Sequence, residues 1–230
     1  TYPNCIDMAP TLTDAVAACA YAAVLLEKTS PRWLMGWRDI TNATNERTVI
    51  ASVIPRAGVG HTLPLWSCAS ASPSHQALLL GNLSLDGMAR QKVGGTHLTY
   101  GYLKQFPILP PDVYTEADLT FIVPRVLELT YTSHDLAPWA KDLGHTGPPF
   151  AFDPERRALL RAELDACYAR LYGLTRNELR YILDPAEVMG SDYPSETFRV
   201  LKNNDLRAYG EYRTQRLVLK AWDRLDNSTR

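Results

Sequence analysis

The sequence predicts an α+β fold: a small mixed β-sheet enclosed by helices, followed by a helical C-terminal subdomain. Three observations carry this. Two short bulky or β-branched runs, Trp33 to Ile40 and Thr48 to Ile54, are bounded by turn-forming residues. From Thr115 onward the chain shows repeated helix-start and helix-stop signals instead. A chain of 230 residues, 46% of them hydrophobic, is long enough for one sizeable core.

In chain order, Thr11 to Lys28 reads as an alanine-rich helix with Thr11 or Thr13 as N-cap. Its apolar window, Ala15 to Leu26, is too short for the roughly 20 residues of a membrane span. Trp33 to Ile40 is a strand. Thr41 to Thr48, TNATNERT, is a turn of short polar side chains that bond their own backbone. The same residue types suit base readout, because Asn pairs bidentately with adenine and Arg with guanine. Thr48 to Ile54 is the second strand, stopped by Pro55.

Two glycine loops follow, Gly58 to Thr62 and Gly94 to His97, each with glycine beside histidine and threonine. Neither is a P-loop or a dinucleotide fingerprint. Ala77 to Leu80 is either a short buried strand or the start of a helix, and Ser84 to Lys92 has helical spacing. Gly94-Gly95 leaves amide N–H groups uncovered among Arg90, Lys92, Thr96 and His97, a setting for an anion or for ordinary turn chemistry. Tyr100 to Gln105 forms a short helix, and Pro110-Pro111 ends the region.

Beyond it, Thr115 and Asp118 cap a helix that Pro124 is expected to break near Val123. Gly144 to Phe150, GHTGPPF, has a linker's composition, which divides the chain into 1–146 and a helical subdomain, 147–230. Asp153-Pro154 opens a helix with Leu160, Leu164, Cys167 and Leu171 on one face, stopped by Gly173. Thr175 and Glu178 form a capping box for a helix to about Leu183, and Asp184-Pro185 repeats the start signal. Asn204-Asp205 opens a last long helix, whose basic residues read as a solvated or ion-paired face.

Composition narrows the function. The cysteines share no CxxC spacing, and the histidines form no zinc-ligand pattern. A net charge of −1 argues against a purely electrostatic nucleic-acid binder. The cations nevertheless outnumber the acids between Arg32 and Lys104, so one face can be basic. No GxSxG elbow and no carboxylate–lysine cluster on predicted strands points to hydrolysis.

Four segments together resemble the target-recognition region of large type IIG-like adenine-specific DNA methylases of restriction-modification and phage-defence systems. They are RDITNATNERTVIASVIP (Arg38 to Pro55), LLGNLSLDGMARQKVGGTHLTYGYLKQFPILPP (ending at Pro111), RRALLRAELDACYARLYGLTRNELRYILDP (Arg156 to Pro185) and YPSETFRVLKNNDLRAYGEYRTQRLVLKAWDRL (Tyr193 to Leu225). The closing glycine turn, helix and proline stop also resemble, more loosely, type I specificity subunits. The resemblance implies recognition of double-stranded DNA in the cytoplasm, beside an upstream methylase domain of the same protein. It implies Arg38, Asn42, Asn45 and Arg47 as base contacts, and Arg56, Arg90, Lys92, Thr96 and His97 as backbone contacts.

The chemistry of that family requires a [DNS]PP[YF] loop. Gly147-Pro148-Pro149-Phe150 imitates it but has no side-chain acceptor at the first position. The chain, which begins at Thr1, is therefore expected to be a non-catalytic piece of a longer protein. It needs no cofactor or metal itself, and S-adenosylmethionine belongs to the parent enzyme. The alternative reading is a helical module that docks on the methylase or nuclease domain without reading bases.

Overall fold

The computed structural model describes residues 32–66, 72–82, 87–193 and 197–228. The helix expected at Thr11 to Lys28 and the Ser84 to Asp86 part of the Ser84 to Lys92 helix lie outside them. Residues Trp33–Arg230 form one compact unit.

The fold is α+β, and its sheet is antiparallel throughout, in the order β2-β1-β3. β1 (Trp33–Trp37) pairs with β2 (Ala51–Pro55) in a register that sets Met35 against Val53, and with β3 (Leu65–Trp66) through Met35 and Trp66. The strands are shorter than the apolar runs suggest. Ile40 makes only an isolated bridge to His97, and Thr48 is consumed by the turn before β2. β3 had no sequence signal of its own. It is held by Gly36, where a Cβ would sit 2.7 Å from the Pro64 carbonyl oxygen, so only glycine lets the two backbones approach.

Ala77 to Leu80 is helical, within α1 (Pro73–Asn82). Two short helices follow, α2 (Gly87–Lys92) and α3 (Tyr100–Leu103). α4 (Glu116–Thr130) starts at the Thr115–Asp118 capping box and does not break at Pro124. Its buried residues Ile122, Val126 and Leu127 flank the proline on both sides, while Pro124 and Thr120, whose carbonyl loses its partner, face solvent. Packing at both ends therefore outweighs the one lost hydrogen bond.

After α5 (Ala137–Asp142) comes α6 (Pro154–Leu171), capped by Asp153, which accepts from the N–H groups of Glu155 and Arg156. It ends in a Schellman turn, with Gly173 at φ 72° and Leu174 N–H reaching back to Ala169. α7 (Arg176–Leu183) carries the expected capping box. α8 (Pro185–Met189), α9 (Arg199–Tyr209) and α10 (Arg213–Ser228) complete the chain. The single long helix expected from Asn204 is thus two, divided at left-handed Gly210. Asp205 is a cap after all, but for the second helix, accepting from Thr214 N–H at 2.7 Å.

α6 is buried on two faces. Leu164, Cys167 and Tyr168 join Trp33, Met35, Ile122, Val126 and Trp139 in the main core, which thus draws on residues from both sides of Gly144 to Phe150. Ala162, Ala166 and Ala169 pack against Leu179, Val218 and Trp222. The alanines permit close approach, and the α6–α10 pair is the most extensive helix contact. Tyr168 crosses to α1, donating to the Leu78 carbonyl at 2.7 Å in a buried setting. A third cluster, with Trp37, Val49, Ala89, Val93 and Leu98, supports the turn after β1.

Candidate functional site

The turn from Thr41 to Thr48 is built from its own polar residues. Buried Thr41 donates to the Thr48 carbonyl at 2.7 Å, closing the loop at its base. Asn42 Oδ1 accepts from the N–H and the hydroxyl of Thr44, an Asx turn that uses this side chain internally. Asn45 Nδ2 donates to Thr41 Oγ1 at 3.2 Å.

Two outside elements clamp the turn. Arg90, on α2, sends its guanidinium to the carbonyls of Ala43 (2.7 Å), Asn45 (2.6 Å) and Glu46, and stacks over the Phe198 ring at 4.8 Å. The Gly94–Leu98 loop runs along the other side. Thr41 N–H donates to the Thr96 carbonyl at 2.9 Å, Leu98 N–H to that of Asp39 at 2.8 Å, and His97 Nδ1 meets the Asp39 carboxylate at 2.8 Å. The first glycine loop arrives at the same residue, since Asp39 N–H donates to the Thr62 carbonyl. The two similar loops thus flank one acidic residue, which disfavours a phosphate between them.

Beyond the turn, its outer edge faces α6. Arg47 pairs with Asp165 at 3.0 Å, and Asn204 of α9 donates to the Glu46 carboxylate. Between the elements lie two clefts, of about 460 and 330 Å³, within the range of ligand sites. Glu46, Arg47, Arg157 and Arg161 line both. Arg38 and Asn45 line the larger, while Phe152, Tyr209 and Arg213 line the smaller. Burial lowers the pKa of Arg161, and the like charges of Arg47 and Arg157 lower it further, partly offset by Asp165 and Glu46.

The nine residues singled out by sequence therefore separate. Arg38, Asn45 and Arg47 come together on one cleft. Asn42, Arg90, Thr96 and His97 make the scaffold that shapes the turn. Arg56 follows β2 at the end away from the turn, about 17 Å along the strand from Ala51. Lys92 is exposed two residues beyond Arg90, a spacing that points it elsewhere around the helix. Arg157 and Arg161 were missed. Their signal was present in the sequence, because Arg157, Arg161 and Asp165 recur every four residues and so share one face of α6.

Among the described residues no group of three His, Cys, Asp or Glu side chains could hold a metal ion, and no helix is long and apolar enough to cross a membrane. Burial pushes the Cys167 thiol up to about 12, which leaves it unreactive. Comparison with known protein families, curated proteins and solved structures finds no match for this chain.

Proposed function

We propose that this chain is the DNA-recognition module of a cytoplasmic adenine-N6 DNA methylase of the restriction-modification type. It holds double-stranded DNA in register while a methylase domain outside the chain, with its S-adenosylmethionine, flips and modifies the base. One observation carries the reading. A turn clamped from both sides presents Asn45 and Arg47, with Arg38 beside them, at the mouth of an arginine-lined cleft. Rigid presentation of a few polar side chains is what base readout needs, and the surrounding cations supply attraction for phosphates.

Arg47 exchanges Asp165 for a guanine edge on binding, so Arg47→Ala is expected to cost about 1–3 kcal/mol on the cognate duplex alone. Fluorescence anisotropy with a randomised duplex pool, followed by selection of bound sequences, measures this. Failure of the whole chain to bind any duplex at low salt refutes the proposal.

A second reading, a docking module that reads no bases, has its own support. Many helix arginines are neutralised by acids, as in Arg125–Glu163, Arg156–Glu128 and Arg176–Asp223, while Phe152, Met189 and Tyr209 are exposed. Unchanged duplex affinity and salt dependence in Arg38→Ala, Asn45→Ala and Arg47→Ala supports that alternative.

A further inference from the structure

We propose that Arg157 and Arg161 form a site for a phosphate group in the wall shared by the two clefts. α6 carries four arginines and three acidic residues. Its other arginines are committed, Arg156 to Glu128 and Arg170 to Asp226. So are its acids: Glu155 serves Arg213, Glu163 serves Arg125 and Asp165 serves Arg47. Glu46, facing α6 across the clefts, accepts from the neutral Asn204 and, with Asp165, offsets only part of the positive charge around Arg161. Among the described residues neither remaining cation, Arg157 nor Arg161, forms an ion pair with a carboxylate.

Arg157 and Arg161 stand four residues apart, one turn above the other on the same face. Among the described residues Arg161 has no hydrogen-bond or ion-pair partner. Arg157 stacks on Phe152 at 5.0 Å, and its Nε is buried without any acceptor. A buried N–H donor without a partner is rare in folded proteins, and a charged one is costlier still. An anion between the guanidinia supplies the missing acceptor and relieves their mutual repulsion.

A tetrahedral phosphate suits the pair better than a carboxylate. Its oxygens can accept from two guanidinium forks at once, and its charge offsets two cations. The two unpaired guanidinia and the buried donor without an acceptor therefore point to a phosphate, either one from a DNA backbone or one from a free phosphomonoester. As a backbone contact the site rests on the recognition reading above; as an anion site it is tested without DNA.

Titration calorimetry and thermal unfolding of the full chain with inorganic phosphate, at ionic strength held constant with chloride, test it. The expected result is saturable binding with a Kd of about 1 mM or tighter, and a midpoint that climbs with phosphate concentration. Arg157→Gln with Arg161→Gln is expected to weaken binding at least about tenfold, while Arg216→Gln leaves it unchanged. Should the double Gln variant not fold, the Arg157→Lys and Arg161→Lys variants keep the charge but lose the fork, and are expected to weaken binding several-fold. Absence of saturable phosphate binding, or undiminished binding in a folded double variant, overturns the proposal whatever duplex DNA does. Phosphate binding lost in the variant together with duplex affinity identifies a backbone contact. The same loss with duplex binding intact, or with no duplex binding by the native chain, identifies a phosphomonoester site.

Discussion

Replacing Arg90 by alanine separates two roles that sequence alone does not distinguish. If Arg90 contacts a DNA phosphate, its loss leaves the free protein's stability unchanged and lowers the salt dependence of binding by about one charge. The structure predicts the opposite. The guanidinium donates to three carbonyls of the Thr41 to Thr48 turn and stacks over Phe198. Hydrogen bonds involving a charged group contribute about 1.5–3 kcal/mol each, but three from one partly exposed side chain are not additive. A total of about 2–4 kcal/mol is reasonable. In a unit of roughly 200 residues, one kcal/mol shifts the midpoint by about 2–3 °C, so Arg90→Ala is expected to lower Tm by about 5–10 °C. Calorimetry gives the shift, and binding at several salt concentrations gives the slope. A midpoint within a degree of the native value, with a slope reduced by one, refutes the clamp and returns Arg90 to the phosphate backbone.

Three further outcomes follow from the packing. Gly36→Ala places a methyl against the Pro64 carbonyl and is expected to cost about 1–3 kcal/mol in denaturant unfolding, as β3 is displaced; full stability shows that the approach is not needed. Tyr168→Phe leaves the buried Leu78 carbonyl without its donor, at about 1–3 kcal/mol, and an unchanged denaturation midpoint shows that water replaces the hydroxyl. Cys167, raised to about 12 by burial, stays a neutral thiol in the native protein while the unfolded chain ionises near pH 8.5. Its contribution is therefore complete below about pH 8.5 and declines between there and 12, so Cys167→Ala is expected to flatten that alkaline loss of stability. Alkylation of Cys167 in the native state at pH 8.5, followed by peptide mass mapping, contradicts the burial if it is rapid.

What the sequence determined by itself was local. The capping boxes at Thr115–Asp118 and Thr175–Glu178, the Asp153 cap and the Gly173 stop all join groups three to five residues apart, so their residues contain the whole interaction. The turn character of Thr41 to Thr48 was legible for the same reason, since its side chains bond its own backbone. Tertiary packing decided the rest. Pro124 sits inside a helix because the residues around it are buried against distant partners, a term no local preference includes. Asp205 caps a helix across a glycine break rather than its own. The candidate site shows the limit most clearly. Arg90 reaches a turn some 45 residues earlier, and Arg157 and Arg161 gain their meaning only because the acids of their own helix are ion-paired to other arginines. A sequence shows which charges exist; only the folded chain shows which of them are already paired.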